Sequence, residues 1–121
     1  EHTASAHGAS ARVSFAQHTL VTRNDLALTR QLRPSLEAVV GADKVKDMPL
    51  STIAEDFAYL AEAVPGFYFF VGATPADQDP RRAPSNHSPR FYLDEGSLEI
   101  GLRSMLQVTH DFLAQGRDAE N

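Results

Sequence analysis

Gly66-Phe67-Tyr68-Phe69-Phe70-Val71-Gly72 is the segment on which the fold turns. Aromatic and β-branched residues follow one another without a polar break, and a glycine stands at each end. A run with no alternation has the pattern of a strand buried on both faces, as in a sheet sandwiched between helices. Upstream, Phe57, Leu60, Ala61 and Val64 share one face of a short helix that Pro65-Gly66 ends. Downstream, Leu98, Leu102, Met105, Leu106, Thr109, Phe112 and Leu113 line one face of a final long helix, with His110 beside it. Helix, buried strand and helix in succession predict an α/β layer architecture. In such folds ligands gather beyond the carboxyl ends of strands, so a site is expected after Gly72.

Farther upstream, Asn24 is a candidate N-cap, and Asp25 suits the positive end of a helix dipole. Leu28, Leu32, Leu36, Val39 and Val40 follow at helical spacing and Gly41 supplies a stop, while Pro34 predicts a kink or break. Lys44 to Leu50 has room for a short strand before Pro49. Thr52-Ile53-Ala54-Glu55 then has the spacing of a capping box. Ala11 to Phe15 alternates like a half-buried strand, with Val13 and Phe15 on one side. Residues 1 to 10 are small and polar, like the frayed end of a helix. His2 and His7 are five apart and do not share a helical face.

The 121 residues are one domain's worth, and 42% hydrophobic content is ordinary for a globular chain. A formal net charge of -5 with no basic cluster argues against a nucleic-acid or anionic-membrane partner. No apolar run approaches the ~20 residues that span a bilayer. The chain has no cysteine, which excludes disulfides and thiolate metal sites, so any metal must be held by imidazole and carboxylate.

The region beyond Gly72 contains Pro75, Pro80 and Pro84 with Asp77, Asp79, Arg81 and Arg82, and reads as a long surface loop. It leads into Pro84-Ser85-Asn86-His87-Ser88-Pro89-Arg90-Phe91-Tyr92-Leu93-Asp94-Glu95. His87 is the metal-competent side chain of that stretch. Flanking prolines fix part of its backbone, so the imidazole is aimed with little freedom left to lose. Asp94 is placed to cap the final helix.

Ala54-Glu55-Asp56-Phe57, Val64-Pro65-Gly66-Phe67 and His87-Ser88-Pro89-Arg90-Phe91 followed by Asp94-Glu95 occur here in that order. Together they resemble the C-terminal quarter of the zinc-dependent amidohydrolases and metallopeptidases that include hippurate hydrolase, aminoacylase and the auxin-conjugate hydrolases. The resemblance covers roughly positions 9 to 115, and ordered motifs are far more specific than any one alone. It implies that His87 is a metal ligand, and that Glu55, Asp56 and Arg90 stand near the metal or the substrate. Glu55 and Asp56 thus have two readings that stay open, helix capping and a place beside the site.

The resemblance further implies a parent enzyme that hydrolyses the amide bond of N-acyl amino acids or short peptides with a divalent metal pair, zinc first, with manganese, cobalt or nickel as alternatives. No H-x-D or E-E element is present, and the chain starts at Glu1 without a Met, so a C-terminal fragment, inactive alone, is expected. The implied domains are 1–16, the last helix end and edge strand of a smaller dimerisation domain; 17–116, part of the catalytic domain with helices packed on a buried strand layer; and 117–121, a disordered tail. Its partners would be the small substrate and either a second copy or the upstream part of the parent chain, with no nucleic acid or membrane. A soluble location in cytoplasm or periplasm is expected. The competing class is a non-catalytic α/β association module. A self-contained serine or cysteine hydrolase is disfavoured, since no Gly-x-Ser-x-Gly elbow and no cysteine are present.

Overall fold

The computed structural model describes residues 2–15 and 19–118. Four helices occur among them: α1 (His2–Ala6), α2 (Leu26–Val40), α3 (Phe57–Ala63) and α4 (Gly96–Asp118). No strand is formed among the described residues, so the expected α/β fold with a buried strand layer is not what this chain adopts. A ladder needs a second extended segment whose backbone groups face the first. Phe67 to Val71 finds none among the described residues. Ala11 to Phe15 and Lys44 to Leu50, the other expected strands, are likewise irregular and lack a ladder. The expected domain boundary at 16/17 and residues 119–121 of the expected tail lie outside the described residues, while α4 itself runs to Asp118.

The aromatic run keeps an extended character all the same. Phe67 stacks on Phe69 at 5.8 Å and Tyr68 meets Phe70 edge-on at 5.1 Å, the two-residue period of alternating side chains. In place of a neighbouring strand it has Asn24. The Asn24 Nδ2 donates to the Tyr68 carbonyl at 2.8 Å, and Oδ1 accepts the Tyr68 N–H at 2.8 Å. One residue on, the Asp25 N–H donates to the Gly66 carbonyl at 2.9 Å. A side-chain amide carries one acceptor and two donors, so it can satisfy both backbone groups of one residue as a strand partner would. Glycine is favoured at 66, because an added Cβ would stand 3.0 Å from Ala61 and from the Phe57 ring, and those side chains would have to give way.

Helix α2 is capped one residue later than the sequence suggested. Asp25, not Asn24, is the N-cap, its Oδ1 accepting the Leu28 N–H at 2.8 Å. Asn24 is committed to Tyr68 instead. The helix runs unbroken through Pro34 and stops at Gly41, whose φ of 91° a residue with a Cβ would resist. Arg33 then pins the following loop, bonding Glu37 at 2.9 Å, Asp47 at 2.7 Å and the Val45 carbonyl at 3.2 Å.

Helices α2 and α4 pack together and form the only helix pair in close contact among the described residues. Their seam sets two leucines among small polar residues: Leu32, Ser35 and Leu36 of α2 are buried, as are Ser97 and Ser104 of α4. Gly101 lies on the same stripe, one turn from each serine, where Val71 of the aromatic run approaches. Small side chains let two backbones come close. The broad apolar face expected of α4 is therefore not the seam. Leu98, Leu102, Met105, Leu106, Phe112 and Leu113 are all exposed, Leu102 by 62%. The seam is cross-linked by Asp111, which accepts from Ser35 across the helices and from Gln107 at 2.9 Å and His110 at 3.0 Å. Those bonds, that of Ser35 foremost, pull the Asp111 pKa down to about 2.

Candidate functional site

His87 is an exposed central residue of a tight turn closed by the Ser88 N–H, which donates to the Ser85 carbonyl at 2.8 Å. A second turn follows at once, with Phe91 N–H on the Ser88 carbonyl at 3.0 Å and the Arg90 N–H on Ser88 Oγ at 3.1 Å. The backbone around His87 is thus fixed by hydrogen bonds as well as by Pro84 and Pro89. No side-chain partner within the described residues holds the His87 imidazole or the Arg90 guanidinium, and both face water.

The stretch is anchored to the aromatic run beyond Gly72. Asp94 N–H donates to the Ala73 carbonyl at 2.8 Å, and the Asp94 carboxylate accepts the Gly96 N–H at 2.9 Å at the start of α4. Asp94 therefore caps the final helix, as its position suggested. The Tyr92 hydroxyl donates to Gln78 and ties the two halves of the long loop together. Within that loop Asp79 is engaged by the Arg81 side chain and N–H, which hold its carboxyl below the usual range. It is a turn residue.

Glu55 is half-buried and doubly engaged. Its Oε2 accepts the Tyr68 hydroxyl at 3.0 Å and its Oε1 accepts the Phe57 N–H at 3.3 Å. Phe57 in turn leans on Tyr68 at 5.2 Å between ring centres. Burial, with the hydrogen bond and charge of Glu55, raises the Tyr68 pKa. The capping box read from Thr52 to Glu55 is absent: α3 begins at Phe57, and its N-cap, Asp56, makes no side-chain cap bond. Asp56 is exposed.

These residues do not form a metal site by themselves. Among the described residues no group of three His, Asp or Glu side chains converges on a point that could hold an ion. A catalytic zinc needs about three protein ligands, and one exposed imidazole is short of that. A groove of about 430 Å³ runs between Leu20–Asp25 and the end of α3, but none of His87, Glu55, Asp56 and Arg90 lines it. No described helix is long and apolar enough to cross a membrane. Tyr68 carries no signal in the sequence beyond its place in an apolar run, and its bond to Glu55 emerges only in the structure.

The sequence profile of peptidase family M20/M25/M40 matches residues 8–111. YhaA of Bacillus subtilis (strain 168), whose name assigns it provisionally to the amidohydrolases, is 34% identical over 94 residues, 78% of this chain and 23% of its own. A Rhodococcus jostii (strain RHA1) protein, provisionally named a glutamate–cysteine ligase, is 34% identical over 86 residues, 71% of this chain and 10% of its own. An IAA-amino acid hydrolase of Arabidopsis thaliana is 27% identical over 111 residues, 88% of this chain and 23% of its own. The chain thus spans about a quarter or less of the length of these relatives. No solved structure matches it.

Proposed function

The chain belongs to peptidase family M20/M25/M40, and from that premise we propose that it is the portion of a metal-dependent amidohydrolase that supplies His87 to the metal centre. The complete protein would hydrolyse the amide bond of an N-acyl amino acid or a short peptide. Zinc, which imidazole suits, is the metal proposed, with manganese, cobalt or nickel as alternatives. The remaining ligands would come from the length of the family's chain that these residues do not span.

What supports this is the state of His87. Its backbone is fixed by a turn, its imidazole is exposed and unpartnered within the described residues, and it stands in the His-x-Pro-Arg-Phe order inside the matched region. An imidazole whose ring nitrogens are both open can give one of them to a metal. Arg90, equally unpartnered, suits the carboxylate of an amino-acid product, which a guanidinium binds through two parallel hydrogen bonds. Asp56 retains a free carboxylate at the start of α3.

The exposed apolar stripe of α4 favours a second reading, an association module without catalysis. Hydrolysis separates the two. N-acetyl and N-benzoyl amino acids are offered, with zinc or manganese, to the 121-residue chain and to the complete protein that carries it. Turnover by the complete protein and none by the chain alone fits the amidohydrolase reading. A complete protein that is folded, metal-loaded and inert on every amide tested fits the association module.

A further inference from the structure

We propose that Tyr68 is a positioning residue for Glu55, and that Asn24, by clasping the Tyr68 backbone, completes a three-residue arm that presents the Glu55 carboxylate to a hydrogen-bond donor or cationic group of a ligand. The role given to the ligand rests on the amidohydrolase reading. The arm itself rests on geometry alone.

Each link is a hydrogen bond between groups far apart in sequence. Asn24 fixes Tyr68 from both sides of its backbone at 2.8 Å, across 44 residues. Tyr68 reaches back over 13 residues to Glu55 Oε2 at 3.0 Å. The Phe57 N–H steadies the other oxygen at 3.3 Å, and the Phe57 ring braces Tyr68. An ionised carboxylate offers about four acceptor sites, so two neutral donors leave roughly one per oxygen for a further partner. A carboxylate needed only to cap α3 would not require a tyrosine behind it. Burial raises the Tyr68 pKa first, and the hydrogen bond to Glu55 and its negative charge raise it further.

The chain has three tyrosines, so absorbance of the phenolate on alkaline titration resolves the arm directly. In the wild type the Tyr68 phenol contributes a component raised above the ordinary tyrosine value. Tyr68→Phe removes that component, Glu55→Gln moves it down, and Asn24→Ala moves it part of the way. Circular dichroism at neutral pH selects the variants that keep their helices. If the high component is untouched by Glu55→Gln in a folded variant, the coupling is absent and the proposal is overturned. In the complete protein, Tyr68→Phe lowers turnover of N-acyl amino acids roughly ten- to hundredfold with metal content unchanged, the usual effect of losing an orienting partner. Full turnover in Tyr68→Phe overturns the positioning role and leaves the amidohydrolase reading standing. A wild-type protein that hydrolyses no amide overturns that reading, while the titration still decides the arm.

Discussion

The side-chain amide of Asn24 takes the place of a β-strand beside Tyr68, bonding both its N–H and its carbonyl at 2.8 Å. A half-buried backbone pair is thereby satisfied without a sheet. Replacing Asn24 with Ala leaves both groups unpaired and should cost about 1 to 3 kcal/mol, the desolvation penalty of orphaned polar groups. Asn24→Asp keeps the acceptor but sets a carboxylate oxygen against the Tyr68 carbonyl, so it too should lose stability in a urea melt.

Asp111 links the α2–α4 seam to pH. Its pKa is depressed to about 2 by Ser35, Gln107 and His110, against about 3.9 in an unfolded chain. The unfolded state therefore binds the proton more readily, and the stabilisation is fully present above about pH 4 and disappears as pH falls toward 2. Thermal melts should lose stability over that interval in the wild type, with a shallower loss in Asp111→Asn. Parallel curves for the two proteins would mean that the carboxylate does not hold the seam.

Leu36 is one of the few buried apolar side chains. Truncation to Ala should destabilise by about 2 to 4 kcal/mol, since the helices can close only part of the cavity. Against so small a core that loss should be enough to unfold much of the chain, and circular dichroism would record it as lost helix.

The stripe of Leu98, Leu102, Met105, Leu106, Phe112 and Leu113 leaves a wide apolar surface in water. Isolated chains should therefore self-associate at low micromolar concentration. Leu102→Glu with Met105→Lys should return the sedimentation profile toward a monomer. A wild-type chain that sediments as a monomer with a concentration-independent melt would contradict this.

Much of the helical layout was legible in the residues. Leu28, Leu32 and Leu36 at helical spacing with Gly41 behind them define α2, and the long apolar period ending at Leu113 marks α4. The aromatic run misled, because its composition is that of a buried strand while the ladder partner it needs is not among the described residues. The α4 seam misled for a related reason: periodicity reports which residues share a face, and the face that packs is the one built from Ser97, Gly101 and Ser104. Of the candidate site, the His87 turn could be read from its prolines. The Tyr68–Glu55 pair could not, since a hydroxyl reaching a carboxylate 13 residues away leaves no local pattern. The Thr52–Glu55 spacing suggests a capping box as one of two readings of Glu55, and the structure spends that carboxylate on Tyr68 and the Phe57 N–H instead.

The decisive measurement is the metal content of the complete protein that carries this chain, wild type and His87→Ala, purified and dialysed in parallel. If His87 is a ligand, the variant loses at least part of the bound metal, since removing one donor from a set of three or four weakens the site severely. Amide hydrolysis should fall with it, while the α-helical signal stays unchanged because His87 is exposed in its turn. A folded His87→Ala protein that retains the wild-type metal stoichiometry and turnover would contradict the assignment.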